Sequence, residues 1–368
     1  MGLIGRLAPL YLGCKGECVL MSQTVFEENP MNWLKIVSEW KANLIGGSNW
    51  SFEFALNRFL KYSNSSSIDL SDVQYVINFG QPILESTLSK LEVSFKLGNC
   101  KFVNCLSFPQ SVGIVSASVI TTGNKRNYLR VDSSSQIDSE AIFVSESTEK
   151  LSPQQSSAVI QLVSVGRPIN KTNFHIISTD QMPPLSQQQQ KQQKHDEIGE
   201  IWLSGSNVAV EIVDDQKAAN VKKKRGSKHN WLRTGLFGFL HEEELFVIGK
   251  YLKLNGKYIL EQRILQLAFD EAANFVRPES LFIFSKKFNS SEELIIVSQL
   301  INQSQSQSQS QLQLQQQDLK TISSKIRTSI STNLQVNVRQ IVFAKADSFL
   351  RTIRYPSWFN LFSLETWN

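Results

Sequence analysis

Charge is scarce in this sequence. Only 19% of its 368 residues are Asp, Glu, Lys or Arg, and 38 basic against 33 acidic side chains leave a net charge of +5. So small an excess is too mild to imply, on charge alone, a protein that grips nucleic acid, and no nucleic-acid partner is expected. The excess is also local. Lys222, Lys223, Lys224, Arg225 and Lys228 stand in one short run, outside which acids and bases balance. Cysteine is rarer still. Cys14, Cys18, Cys100 and Cys105 are too few for a disulfide framework in a chain of this length, and neither close pair has CxxC spacing. They read as buried free thiols beside apolar strands in a reducing compartment, rather than as a zinc site. His175, His195, His229 and His241 share no metal-binding spacing. A membrane-length apolar run is missing too, because Arg6, Lys15 and Glu17 break the opening MGLIGRLAPLYLGCKGECVLM and no basic region leads it. No signal peptide and no membrane span are expected, and the location these absences imply is cytoplasmic.

Hydrophobic residues make up 41% of the chain, enough for a sizeable core divided between two compact units. The first stretch alternates strand and helix as an α/β sheet does. Cys18 to Met21 reads as a strand, and Asn29 with Pro30 supplies a cap and a first-turn proline for a helix through Trp33, Ile36, Val37 and Trp40. Leu44 to Gly47, Val73 to Phe79 and Lys101 to Leu106 read as strands. Helices run through Phe52 to Leu60 and over Leu84 to Phe95. The polar segment from Thr121 to Ser156 reads as loop with one or two edge strands. Short runs at Val159–Val165, Asn173–Ser178, Glu200–Ser204 and Glu244–Ile248 suggest a smaller β-rich subdomain. After Lys250 the expected order is a helix over Leu260–Asn274, strands at Leu281–Ser285 and Leu294–Leu300, a helix over Leu319–Thr332, and a strand at Val338–Phe343.

Two low-complexity tracts interrupt this pattern. Gln187 to Lys194 is a glutamine run, and Gln303 to Gln317 alternates Ser and Gln before becoming Gln-rich. Neither holds enough apolar residues to offset ordering entropy, so both are expected to be disordered connections. The basic run at 222–228 reads as a solvated loop, with no aromatic residues interleaved closely enough for base stacking.

Several segments, in order, resemble the fatty-acyl-AMP ligases of the AMP-forming acyl-adenylating superfamily. MSQTVFEENPMNWL (Met21 to Leu34) is similar to M-S-P-x-x-F-x-x-x-P-x-x-W-L, and LIGGSNWSFEF (Leu44 to Phe54) to I-S-G-G-P-N-F-A-Y. VGRP (Val165 to Pro168), GEIWLSGSNVAV (Gly199 to Val210), WLRTGLFGFLHEEELFVIGK (Trp231 to Lys250) and SFLRT (Ser348 to Thr352) follow in the family's order. The resemblance covers nearly the whole chain and implies the latter part of a large α/β domain over 1–249, with a small β-rich subdomain. A small, mobile α+β C-terminal domain follows over 250–368, carrying the Gln/Ser-rich insert at 303–317. The implied reaction is attack of a fatty-acid carboxylate on the α-phosphate of ATP.

That chemistry needs four parts, and the resemblance implies that this sequence lacks them. No Ser/Thr/Gly-rich phosphate loop like Y-T-S-G-S-T-G occurs, so the backbone donors that would hold the leaving phosphates are missing. The family's Y-G-L-A-E-A-T aligns with LSFPQSV (Leu106 to Val112), placing Gln110 where the magnesium-binding Glu belongs. The ribose-binding Asp of L-R-T-G-D-L-G falls at Leu236. The C-terminal lysine has no counterpart in LRTIRYPSW (Leu350 to Trp358), and no lysine follows Lys345. Losing ribose hydrogen bonds costs about 1–3 kcal/mol each, and losing one preorganised charge donor costs roughly 10²- to 10³-fold in rate. No adenylation by this chain alone is expected, and no cofactor; ATP and Mg²⁺ enter only through the resemblance.

Other positions keep part of the pattern. Lys250 replaces an arginine that reaches the ribose from the hinge, retaining charge without the planar fork. Asn78 and Pro82 match N-G-A-E-P, with Phe79 at the place of the glycine and Gln81 at that of the acid. Gly46, Gly47, Asn49, Trp50 and Phe52 are candidates to line an acyl pocket; ordinary packing at a strand end and helix start accounts for them equally well. A fatty acid is thus a possible ligand, and a lipid- or partner-binding pseudoenzyme is one alternative to an inactive ligase. A non-functional fragment without a stable fold, from a decayed gene or a mis-bounded one whose missing half is encoded upstream, is the other; a large domain cut in half is also expected to self-associate through an exposed sheet edge.

Overall fold

The first helix, α1 (Met31–Glu39), begins where the sequence supplies a cap: the Met31 N–H donates to Asn29 Oδ1 at 3.1 Å, and Pro30 enters with φ −64°. Met31, Leu34 and Val37 recur at helical spacing and are its buried face. The computed structural model describes residues 17–22, 25–26, 29–62, 68–79, 82–111, 113–122, 128–132, 143–144, 159–169, 171–177, 198–209, 221–223, 230–255, 257–272, 275–276, 281–288, 291–300 and 309–344. The chain divides into two compact units, with the break between Gly249 and Lys250.

In the first unit, β1 (Leu44–Gly47), α2 (Asn49–Tyr62), β2 (Tyr75–Asn78), α3 (Glu85–Ser94), β3 (Lys101–Phe108) and β4 (Gly113–Thr121) follow one another. The strands β1, β2 and β3 are parallel and β4 turns back antiparallel on β3. Because β1 to β3 step in one direction across the sheet, right-handed crossovers put both connecting helices on the same face. The packing agrees: Ile45, Val76 and Phe102 on that face share a core with Leu34 of α1, Phe52 and Leu56 of α2, and Leu88 and Leu91 of α3.

A three-stranded sheet follows, made of β5 (Tyr128–Asp132) between β6 (Phe143–Val144) and β7 (Val159–Val163). The two-residue β8 (Arg167–Pro168) pairs with β4. Between β7 and β8, Gly166 has φ +81°, and a Cβ there would lie 1.9 Å from the Ala117 carbonyl oxygen. Only glycine fits this crossing. A third sheet joins β9 (Asn173–Ile177), β10 (Gly199–Ser204), β11 (Val221–Lys223), β12 (Asn230–His241) and β13 (Glu244–Gly249), all antiparallel.

The second unit opens with the hairpin β14 (Tyr251–Leu254) and β15 (Lys257–Leu260), then α4 (Glu261–Ala272), β16 (Phe282–Phe288), β17 (Ser291–Gln299), α5 (Gln309–Leu334) and β18 (Val338–Ala344). β17 is the central strand of a three-stranded sheet, and Leu294 and Ile296 meet Ile264 and Leu267 of α4 and Ile322, Ile326 and Ile330 of α5 in one core.

Three expectations are corrected. Residues 18–21 form no strand, and Cys18, Val19 and Leu20 are exposed; four apolar residues with no strand partner among the described residues have no ladder to join. The Ser-Gln tract is helical from Gln309 onward. Gln and Leu are good helix formers, and extending a helix already anchored by Ile322, Ile326 and Ile330 needs no new nucleus. Lys222 and Lys223 belong to strand β11 rather than to a loop. The opening run with Cys14, the glutamine tract 187–194, most of 121–156, Gln81, His195, His229, residues 224–229, 303–308 and 345–368 lie outside the described residues.

Candidate functional site

The carboxyl ends of parallel strands are where α/β sheets bind ligands, because helix starts and loop amides converge there. Here that edge is formed by Gly47, Asn78 and the end of β3, with the short 3₁₀ turn Pro109–Ser111 beyond it. Of the candidates from sequence, Gly46, Gly47, Asn49, Trp50, Phe52 and Gln110 belong to this edge. Leu236 stands in the separate antiparallel sheet, and Lys250 opens the second unit.

Ser48 starts α2 by accepting from the Ser51 N–H at 3.1 Å. A Cβ at Gly46 would meet the Phe79 ring at 3.6 Å, and one at Gly47 the Phe52 ring at 3.5 Å, both ordinary contacts. Asn49 is buried and ties four segments: its amide donates to Thr87 Oγ1 at 3.0 Å, while its oxygen accepts from the Leu84 N–H at 3.2 Å and from Asn78 Nδ2 at 3.4 Å. The Thr87 hydroxyl in turn donates to Glu53 Oε1 at 2.6 Å. Phe52 is fully buried in the core. Trp50 is half-buried and stacks on Phe54, centroids 5.3 Å apart, and Phe26 caps the pair edge-on at 6.3 and 5.9 Å. The described geometry therefore places Asn49 and Phe52 in packing roles and leaves Trp50 and Phe54 partly open.

Gln110 is half-buried, and its backbone oxygen accepts from the Ala209 N–H at 2.8 Å, which brings the SGSNVA segment to the same edge. The Phe79 N–H donates to the Gly47 oxygen at 3.0 Å. Leu236 is buried in the hydrophobic core. Its N–H donates to Thr234 Oγ1 at 3.0 Å across Gly235, which has φ +69°, and the Thr234 hydroxyl donates to the Ile201 oxygen at 2.7 Å. Lys250 is exposed, and its backbone oxygen accepts from the Glu261 N–H at 2.8 Å. Burial raises the Glu261 carboxyl pKa, opposed by the Lys250 charge.

Two features escaped the sequence reading. Glu200, buried, accepts from Arg233 Nη2 at 2.9 Å and from Trp202 Nε1 at 2.9 Å, so an ion pair fastens β10 to the strand that carries Leu236. A lone Glu in GEIW gave no sign of its partner, which lies more than thirty residues on. Asn104 is fully buried beside Asn78 in the ladder, and neither its amide nitrogen nor its oxygen has a hydrogen-bond partner among the described residues. Its signal was visible as the one polar residue inside FVNCL.

Among the described residues no three His, Cys, Asp or Glu side chains gather to hold a metal ion, Gln110 is neutral, and Leu236 offers a buried alkyl group. No helix among the described residues is long and apolar enough to cross a membrane.

No protein-family profile matches the chain. Individual proteins do. It is 22% identical over 364 residues to the medium-chain-fatty-acid–[acyl-carrier-protein] ligase JamA of Moorena producens, covering 95% of this chain and 56% of that protein. It is 23% identical over 260 residues to the probable long-chain-fatty-acid–AMP ligase FadD30 of Mycobacterium tuberculosis, covering 68% of this chain and 41% of that one. The crystal structure of a fatty acid AMP ligase from Legionella pneumophila superposes with a TM-score of 0.55 at 23% identity, over 94% of this chain and 56% of the other. The chain thus spans about half the length of the relatives it matches. It has the fold of the AMP-forming acyl-adenylating enzymes and is similar in sequence to their fatty-acyl-AMP ligases.

Proposed function

We propose that this chain is a fatty-acyl-AMP-ligase relative that does not form acyl-adenylate by itself. In this reading the unit ending at Gly249 is the latter part of the large domain, and the unit from Lys250 is the small C-terminal domain. The observation that carries it is Leu236. The position that aligns with the ribose-binding Asp holds an alkyl side chain packed into the core, so neither a hydrogen bond nor a charge is available there. Gln110, which aligns with the metal-binding Glu, has lost its charge as well. The compartment is read as cytoplasmic, because cysteine is sparse and Cys100 and Cys105 are buried in the thiol form, outside any disulfide.

The test is direct. Purified full chain with ATP, Mg²⁺ and medium- and long-chain fatty acids should release pyrophosphate at no more than the rate of a no-enzyme control. Turnover that depends on the fatty acid overturns the proposal. A second reading, acyl binding without chemistry, is favoured by the half-buried Trp50–Phe54 stack at the sheet's carboxyl edge. Saturable quenching of tryptophan fluorescence by a fatty acid, abolished by Trp50→Ala, would establish it; an unchanged spectrum would refute it.

A further inference from the structure

We infer that the first unit binds ordered water in its interior, held by Asn78, Asn104 and Ser116 between the sheet and the helices that cover it. The site goes beyond the function proposed above and does not depend on it.

Asn78, Asn104 and Ser116 are all fully buried. Four of their polar atoms, Asn78 Oδ1, Asn104 Oδ1, Asn104 Nδ2 and Ser116 Oγ, have no hydrogen-bond partner among the described residues. The three residues share one face of the sheet. Asn78 is the ladder partner of Asn104, and Ser116 pairs with Leu106, two positions along β3 from Asn104. Because side chains alternate along a strand, Asn104 stands between Phe102 and Leu106 on the side that packs into the hydrophobic core. Adjacent strands lie about 4.8 Å apart, so a small molecule on this face can reach from one side chain to the next. Buried polar atoms are nearly always paired, since each gives up its hydrogen bonds to solvent on folding, and three neighbouring residues left unpaired call for a common partner.

Flipping the amides does not supply one. The Leu84 N–H donates to Asn49 Oδ1, which fixes the Asn49 amide, and Asn78 Nδ2 donates to the same oxygen. Asn78 Oδ1 is therefore directed elsewhere. Asn104 lacks a partner at both ends, so turning it over exchanges one unpaired atom for the other. Ser118, its ladder partner on β4, already donates to the Ser164 oxygen at 2.7 Å.

The four atoms select their ligand by what they offer. Two amide oxygens need a donor, the Asn104 amide nitrogen needs an acceptor, and the serine hydroxyl can be either. A cation would satisfy the oxygens and not the nitrogen; an anion would do the reverse. Water supplies two donors and two lone pairs, and a buried water typically makes about three bonds to groups of this kind. The residues of β4 on this face, opposite Leu106 and Asn104, are serines, where larger side chains would fill the layer.

A crystal structure of the full chain should show water within about 2.7–3.2 Å of Asn78 Oδ1 and of the Asn104 amide. A dry patch, or a protein group filling it, overturns the proposal. Stability gives a second readout, whose sign separates the cases. Where water completes the bonds, Asn104→Leu, close in volume, breaks them, and the urea midpoint followed by tryptophan fluorescence should fall by roughly 0.5 M. Where the patch is dry, the same change removes an unpaired amide and the midpoint should rise. Ser116→Ala deletes one hydroxyl, should lower the midpoint by a smaller amount, and decides the matter if the leucine variant does not fold. An unchanged or raised midpoint in the folded variant overturns the proposal, whatever the outcome of the pyrophosphate assay.

Discussion

Arg233 and Glu200 form one ion pair, yet deleting the arginine should destabilise the chain more than deleting the glutamate. The Glu200 side chain is 4% exposed and that of Arg233 35%. With Arg233→Ala, the carboxylate keeps only the Trp202 indole N–H, 2.9 Å away, and stays in a site that water does not reach. Stranding a buried charge in this way costs about 3–5 kcal/mol. With Glu200→Ala the guanidinium is already one-third in solvent and keeps its place 5.5 Å from the Trp202 ring centroid. Its solvent exposure discounts the pair's Coulomb energy, and the loss should be about 1–3 kcal/mol. The double variant has no stranded charge, so it should be more stable than Arg233→Ala alone, a reversal that additive effects cannot produce. Urea unfolding followed by tryptophan fluorescence measures all three, since Trp202 sits in the site. Equal losses in the two single variants, or a double variant at the sum of both, would refute the reasoning.

Glycine positions give a matched pair. Gly166→Ala places a Cβ 2.2 Å or less from two atoms of the Ala117 backbone and should prevent soluble expression or lower stability by more than about 4 kcal/mol, whereas Gly113→Ala, φ +114° with open space around it, should cost about 1–2 kcal/mol by urea titration. Asn49→Ala strips partners from the Leu84 N–H, Asn78 and Thr87 together and should lower stability by about 2–4 kcal/mol, while Ser51→Ala in the same turn changes it by under about 1 kcal/mol. Burial raises the Cys100 and Cys105 thiols from 9.0 to about 11. The folded chain therefore holds protons that the unfolded chain releases, and the stabilisation from these thiols, complete below pH 9, declines as pH rises towards 11. Unfolding free energy measured across that window should fall less steeply in Cys100→Ala/Cys105→Ala than in the parent chain, and parallel curves would count against it. Neither thiol should react with an aromatic disulfide reagent at pH 7.5 until the chain unfolds.

What could be read in advance follows from the range of the interactions. The cap at Asn29, the helix that follows it, and the apolar strands at Leu44 and Lys101 depend on residues a few positions apart, and each appears near its expected limits, but the helix buries Met31, Leu34 and Val37 and leaves Trp40, expected on the apolar face, exposed. Gly166 was visible only as part of VGRP; its reason for being glycine lies at Ala117, nearly fifty residues away. The helix over the Ser-Gln tract misled the compositional argument because its stability is imported from Ile322, Ile326 and Ile330, which the tract does not contain. No strand was expected over the twelve-residue β12, whose two glycines, 235 and 238, are unfavourable inside a strand. One of them takes φ +69°, and at the other a Cβ would lie 2.2 Å from the Phe246 oxygen of β13. Only the second is dictated by the close approach of a paired strand.

The same reasoning bears on the site. In the proposed reading Leu236 stands at the place of an Asp, and the consequence depends on where the side chain goes. Leu236 lies in the core, behind a turn fixed by Thr234, and an aspartate restored there would enter an apolar environment. Leu236→Asp is therefore expected to destabilise the chain by about 2–4 kcal/mol without conferring adenylation, readable by melting temperature and pyrophosphate release together. A stable, active Leu236→Asp variant would show that the scaffold still accommodates the nucleotide and that the loss of function is confined to single side chains. A destabilised, silent one would show that the packing around position 236 has adapted to leucine, so that chemistry and scaffold have diverged together.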